Sequence, residues 1–206
     1  MLPRLYAIID PALLPGCGDQ ASRVAVFGRE LVKGGATLIQ YRNKTGNGRE
    51  MLTDARELRR VLGRGVRLIM NDRADICLAA GFDGVHVGQD DLSPAGARTV
   101  FGDRLWLGVS THCVEQIREA DQTSADYIAI GPVFATASKP NADPVVGLEG
   151  VRAARKATRK PLVAIGGIKR FNAASVIQAG ADSVAVISDL VHDPAKSVAA
   201  FLRVLG

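Results

Sequence analysis

Aromatic side chains are scarce in this chain: Phe, Trp and Tyr make up 5% of its 206 residues, with a single Trp. Surfaces that stack nucleic-acid bases need aromatics in rows, so the net charge of +5 is not read as a nucleic-acid footprint. The Lys and Arg residues are scattered. The short clusters Arg155–Lys156 with Arg159–Lys160, and Arg56 with Arg59–Arg60, fall at helical spacing and read as solvated faces. An anionic small molecule suits such a charge better than a polyanion. Cysteine is limited to Cys17, Cys77 and Cys113, an odd number without metal-type spacing. That excludes a disulfide framework and a zinc knuckle, and suits a reducing compartment. No apolar run approaches membrane-spanning length, and the segment from Met1 to Asp10 lacks the apolar stretch and cleavage site of a secretory signal. The expected setting is the cytoplasm, with neither membrane nor nucleic acid as partner. No Ser–His–Asp or Cys–His order stands out. No Gly-x-Gly-x-x-Gly follows the first apolar run, which weighs against an open dinucleotide-binding sheet.

What is present is a strict alternation of short β-branched runs with longer amphipathic ones. Strands are expected at Arg4–Ile9, Ala36–Tyr41, Arg67–Met70, Gly84–Val87, Leu105–Val109, Asp126–Ile130, Pro161–Ile165 and Ser183–Ile187. Helices are expected at Ala21–Lys33, Arg49–Leu62, Ala74–Ala80, Pro94–Phe101, Val114–Ala120, Leu148–Thr158, Asn172–Ala179 and Pro194–Leu205. Gly34-Gly35-Ala36, Ala80-Gly81-Phe82-Asp83 and Ala179-Gly180-Ala181-Asp182 echo one another, each ending a helix on glycine and opening a strand. Eight such units predict a single (β/α)8 TIM barrel over 1–206, with parallel strands covered by helices. The longest irregular stretch, Pro132–Gly147, is a candidate lid.

In such barrels chemistry gathers at the carboxyl ends of the strands, and the polar residues of this chain cluster there. Gln40 and Arg42 are two apart and share one strand face, and Lys44 extends the row. Arg and Lys suit phosphate oxygens, although a salt-bridged strand end would look the same. Asp72 and Asp91 close adjacent strands, where neighbouring carboxylates need a shared proton or cation. Asp90 is a competing ligand, and Asp72 could instead cap a helix. Gly166-Gly167 and Ile187-Ser188 follow the last two strands, where barrels often bind phosphate through backbone N–H groups. Thr136, Ser138 and Lys139 lie on the candidate lid, where they could close over an anion. His86 reads as a packed barrel histidine, His112 as a rim residue open to either role, and His192 as surface.

Five strings then stand in order along nearly the whole chain: Asn71-Asp72-Arg73; Gly84-Val85-His86-Val87-Gly88-Gln89-Asp90-Asp91; Gly108-Val109-Ser110-Thr111-His112; Asp126-Tyr127 with Gly131-Pro132-Val133-Phe134; and Ala164-Ile165-Gly166-Gly167-Ile168. Together they resemble the thiamine phosphate synthase family. The resemblance implies a transferase of thiamine biosynthesis that joins hydroxymethylpyrimidine diphosphate to a hydroxyethylthiazole phosphate. It implies Mg2+ on Asp72 and Asp91. The pyrimidine diphosphate would be held by Gln40, Arg42, Lys44, Asn71, Ser110 and Lys139. Thr136, Ser138, Gly167, Ile187 and Ser188 would meet the thiazole phosphate. Arg42, Lys44, Ser110 and Lys139 are the expected catalytic set. Tyr41, Asn43 and Ala137 are counted among the substrate contacts as neighbours in the same strings. Two departures from the family's pattern stand out: Tyr41 and Asn43 where Leu and an acid are usual, and Ser138 in place of Thr. The thiazole tautomerase branch of the family and a non-catalytic phosphate-ligand barrel are the alternatives, and a homo-oligomer is left open.

Overall fold

The computed structural model describes residues 2–136 and 143–206. Eight strands, β1 (Leu5–Ile9), β2 (Leu38–Tyr41), β3 (Arg67–Asn71), β4 (Gly84–Val87), β5 (Trp106–Thr111), β6 (Tyr127–Ile130), β7 (Leu162–Ile165) and β8 (Ser183–Val186), pair in sequence order and close into a barrel. All neighbours are parallel, including the closing pair, in which Tyr6 lies opposite Ala185. The crossover helices are α1 (Gln20–Lys33), α2 (Gly48–Leu62), α3 (Ala74–Ala80), α4 (Pro94–Phe101), α5 (Val114–Asp121), α6 (Gly147–Ala157), α7 (Ala173–Gln178) and α8 (Pro194–Leu205). All eight units expected from the sequence are present, with ends shifted by two residues or fewer.

Local chemistry explains the starts of α1, α2, α4 and α8. Asp19 accepts from the Ser22 amide at 2.8 Å, Asn47 and Glu50 form a capping box, and Ser93 and Asp193 cap helices whose first residue is proline. Burial explains which face turns inward. In α2, Met51, Ala55 and Leu58 recur on one stripe and are buried, while Arg49, Glu50, Arg56 and Arg60 look out.

Side-chain alternation divides the core in two. From β1, Leu5, Ala7 and Ile9 pack outward against the helices, while Tyr6 and Ile8 fill the barrel. Leu38, Ile69, Tyr127, Ala129, Val163 and Ala185 share that interior.

A repeated clamp ties helices to strands at the amino-terminal end of the barrel. Asp83, Asp126 and Asp182 immediately precede β4, β6 and β8. Their carboxylates accept from the amides of Leu68 (2.7 Å), Leu107 (2.8 Å) and Leu162 (2.8 Å) on the preceding odd-numbered strands. Each carboxylate also pairs with an arginine from an even-numbered helix, Arg59, Arg98 or Arg155. The same arginines donate to carbonyls in the loop leaving their own helix, such as Gly63, Leu105 and Lys160. The motif therefore recurs every two β–α units, and it gives a physical reason for two of the glycine–aspartate echoes in the sequence. It leaves the opposite end of the barrel free for chemistry.

Candidate active site

A cavity of about 460 Å3 opens at the carboxyl ends of the strands. Its deeper part is largely apolar, with Ile8, Ala129, Val163, Ile165 and Ala185 beside Tyr6 and His86, and suits a flat heterocycle. Its rim is charged.

On one side stand the bases. Gln40 and Arg42 both line the cavity, as the two-residue period requires, and Lys44 follows them. Arg42 is held by an ion pair with Asp10, a buried carboxylate at the end of β1 that also accepts from the Ala12 amide at 3.1 Å. Asp10 orients a cavity-lining arginine and was not singled out from the sequence. Its signal was available, since it is the acid that ends the first strand.

Beside the bases sit the acids. Asp72 and Asp91 both line the cavity, and Lys44 pairs with Asp72. Burial raises the Asp72 carboxyl above its usual range; the neighbouring Asp91 raises it further, and Lys44 works against both. Asp91 is oriented by the Gly88 amide, which donates to its Oδ2 at 2.8 Å. Asp72 has a left-handed backbone (φ 62), the only positive φ at a non-glycine among the described residues. Arg73 N donates to Asn71 O at 2.7 Å across it. A sparsely populated conformation at a cavity carboxylate is a mark of a functional position. Asp72 does not cap α3: Arg73 occupies the cap position and provides no side-chain bond. Two adjoining hard oxygen donors, whose like charges repel unless a cation is shared between them, fit a divalent ion. Among the described residues no group of three or more His, Cys, Asp or Glu could hold a metal. A cation here would therefore draw its remaining ligands from water or from substrate.

Asn71 and Ser110 complete this side. Asn71 is 8% exposed, and its side-chain amide nitrogen has no partner among the described residues, although the residue lines the cavity. A buried donor without an acceptor is expensive, so it marks where a ligand oxygen or nitrogen belongs. His86 lies below, buried, as expected for a packed barrel histidine. Burial pushes its pKa down to about 4, leaving the ring neutral near pH 7. His112 lines the rim, its Nδ1 2.7 Å from the Gly131 carbonyl and 3.4 Å from Asp143. His192 is exposed.

Across the cavity lie Thr136, Gly167, Ile187 and Ser188. Gly166 (φ 100) and Gly167 (φ 63) both need left-handed backbone. A Cβ on Gly166 would come within 2.5 Å of Pro132 Cβ, and one on Gly167 within 2.5 Å of the Ala135 carbonyl oxygen. The glycines let the loops after β6 and β7 lie against each other, joined by Phe134 N donating to Gly166 O at 3.0 Å.

Two expected substrate contacts are not at the cavity. Tyr41 is fully buried on the outer face of β2, where its hydroxyl donates to Asp54 of α2 at 2.6 Å. The alternation that turns Gln40 inward turns Tyr41 outward. Asn43 is buried too; it donates to the Tyr41 hydroxyl at 3.1 Å and accepts from the Gly46 amide at 2.7 Å, shaping the loop. Both are structural supports for the basic row. Ala137, Ser138 and Lys139 lie outside the described residues.

Fold and site together define a (β/α)8 enzyme with paired acids and a basic row at one rim. A sequence model described as "Thiamine monophosphate synthase" matches residues 5–190. Thiamine-phosphate synthase of Koribacter versatilis is 59% identical over 204 residues, covering 99% of this chain and 96% of that protein. The protein of the same name from Chloroflexus aurantiacus is 47% identical over 98% of this chain and 92% of its own length. The solved thiamine phosphate pyrophosphorylase from Pyrococcus furiosus superposes with a TM-score of 0.86 at 34% identity, over 98% of this chain and 95% of that one. The chain belongs to the thiamine monophosphate synthase family. No helix among the described residues is long and apolar enough to cross a membrane.

Proposed function

We propose that this chain joins hydroxymethylpyrimidine diphosphate to a hydroxyethylthiazole phosphate, forming thiamine phosphate and releasing diphosphate. The observation that carries this reading is the meeting of Asp72 and Asp91 with Arg42 and Lys44 on one wall of a cavity whose deeper part is largely apolar. In the reaction the bond from the pyrimidine methylene carbon to the diphosphate oxygen breaks, and the electron pair leaves with the oxygen. The ring stabilises the resulting carbocation. The thiazole nitrogen then donates its lone pair to that carbon to make the new C–N bond.

Diphosphate departs only if its developing negative charge is stabilised. Arg42, fixed by Asp10, and Lys44 supply positive charge on this side, and Lys139 is expected to add to it. Asp72 and Asp91 would hold Mg2+, which when bound neutralises charge on the leaving oxygens. Asn71 and Ser110 would hold the pyrimidine diphosphate. Thr136, Ser138, Gly167, Ile187 and Ser188 would hold the thiazole phosphate against the loops after β6, β7 and β8. The largely apolar depth of the cavity keeps water from the cation. Isomerisation of a thiazole or plain phosphate binding would give the paired acids nothing to do.

The test is to incubate the purified chain with both substrates and Mg2+ and follow thiamine phosphate by chromatography alongside diphosphate release. Equal amounts of the two products are expected. Diphosphate released without thiamine phosphate would mean that water, not the thiazole, captures the pyrimidine, and the proposed function would be wrong.

A further inference from the structure

Beneath the cavity a run of polar side chains crosses the barrel interior. Gln40 Nε2 donates to the Tyr6 hydroxyl at 2.9 Å. The Tyr6 and Tyr127 hydroxyls are 3.0 Å apart. The Tyr127 hydroxyl is 3.1 Å from His86 Nδ1, and His86 Nε2 is 2.8 Å from Ser110 Oγ. Both tyrosines are 1% exposed. Space for the run is made by Gly108 on β5, where a Cβ would collide with the Tyr127 ring and His86 Nδ1.

Each hydroxyl in this run owns one proton, and the neutral imidazole owns one. With Gln40 donating to Tyr6, only one arrangement gives every tyrosine and imidazole proton an acceptor within the run. Tyr6 donates to Tyr127, Tyr127 donates to His86 Nδ1, and His86 donates from Nε2 to Ser110. If Tyr127 pointed back at Tyr6, the Tyr6 proton would be stranded within the barrel, at the full cost of desolvating a donor. If His86 carried its proton on Nδ1, the Tyr127 proton would be stranded instead.

We propose that Tyr6, Tyr127 and His86 form a polarised relay that locks His86 in its Nε2–H tautomer and frees the Ser110 proton to donate into the cavity. At the other end the Gln40 carbonyl oxygen, which has no partner among the described residues, is left as an acceptor. The two ends are coupled. Reversing the bond at Gln40 reverses every bond after it, and Ser110 changes from a donor into an acceptor. Tyr6, Tyr127 and His86 are positioning residues that act through Gln40 and Ser110. Their effect on catalysis rests on the proposed function, in which those two residues meet the pyrimidine substrate; their effect on the tautomer does not.

The chain has three histidines, so 15N-histidine labelling gives a simple long-range 1H–15N spectrum in which His86 is assigned by its loss in His86→Asn. In the wild-type protein at neutral pH, His86 is expected to be protonated on Nε2; protonation on Nδ1 overturns the relay. Gln40→Glu, recorded above the titration of the new carboxylate, offers Tyr6 only an acceptor and is expected to move the His86 proton to Nδ1. Adding Tyr6→Phe to that variant cuts the connection and is expected to restore Nε2–H. An unchanged tautomer in Gln40→Glu shows that the ends are uncoupled and overturns the proposal. In kinetics, Tyr127→Phe is expected to raise KM for the pyrimidine diphosphate about tenfold with KM for the thiazole phosphate unchanged. Combined with Ser110→Ala, it is expected to add nothing further; full additivity overturns action through Ser110. Equal melting temperatures for Tyr127→Phe and wild type exclude misfolding, and Tyr6→Phe repeats the kinetic test should that variant prove unstable. Absence of product from the wild-type protein would remove the proposed function while leaving the tautomer result intact.

Discussion

Arg98→Ala isolates the scaffold from the chemistry. The Arg98 guanidinium is only 12% exposed and makes four bonds. Nη1 donates to the carbonyls of Gly102 (3.1 Å) and Leu105 (2.7 Å); Nη2 donates to the Ser124 carbonyl (2.8 Å) and to Asp126 Oδ2 (2.8 Å). At about 0.5–1.5 kcal/mol net for each bond, the sum would be about 4 kcal/mol. Asp126 is 44% exposed, so the ion pair itself adds little once solvent screens it, and water can reach part of the freed loop. A loss of about 3 kcal/mol is the result. For a chain of this size it corresponds to a fall in Tm of roughly 6–12 °C. Asp126→Asn keeps an acceptor oxygen for the Leu107 amide and should cost about 1 kcal/mol by the same bond scale. Both substitutions lie at the amino-terminal end of the strands, so kcat and KM below the transition should equal the wild-type values. Differential scanning calorimetry and a turnover assay decide it. A Tm within 2 °C of wild type for Arg98→Ala, at the scale of about 2–4 °C per kcal/mol, would refute the clamp as a stabilising device.

Tyr41→Phe removes a hydroxyl bonded to both Asp54 and Asn43; denaturant titration should show a loss of about 1–3 kcal/mol, with KM for the pyrimidine diphosphate changed less than in Arg42→Ala. An equal KM effect in the two variants would put Tyr41 in the site. Burial pushes the Cys77 thiol up to about 12, so almost no thiolate exists at pH 8, whereas Cys17 and Cys113 are exposed. A disulfide reagent should therefore titrate two thiols in the folded protein and a third only after unfolding; three fast thiols would contradict the core packing. The His86 pKa is depressed to about 4 in the folded chain against about 6.5 when unfolded. The unfolded chain thus binds the extra proton first, and stability present above pH 6.5 is lost as pH falls toward 4. The contribution is about 3 kcal/mol by linkage, and unfolding free energies measured across that range should fall less steeply in His86→Gln.

Most of the architecture could be read from the chain because glycine stops, N-caps and β-branched runs act locally. Strand ends shifted where the pairing partner, not the residue, decides: Asn71 and Thr111 extend β3 and β5 because their neighbours still offer bonds. The acids and bases of the site were legible because they follow strands at a period that fixes the face. That same period placed Tyr41 on the wrong face for binding, and taking the string as a unit obscured it. Asp10 was visible as the acid that ends the first strand, but its partner appears only when β2 is laid beside β1 and brings Arg42 to it. Tyr6 and Tyr127, from strands on different sides of the barrel, carry no local signal of the bond they make.

The most direct measurement is the Mg2+ dependence of thiamine phosphate formation in the wild-type protein beside Asp72→Ala and Asp91→Ala. Saturable activation by Mg2+ in the wild type, abolition by a chelator, and loss of turnover in both folded variants are expected. A full rate in the chelator, or Mg2+-activated turnover surviving in either variant, would contradict a site in which the paired acids gather the cation that lets diphosphate leave.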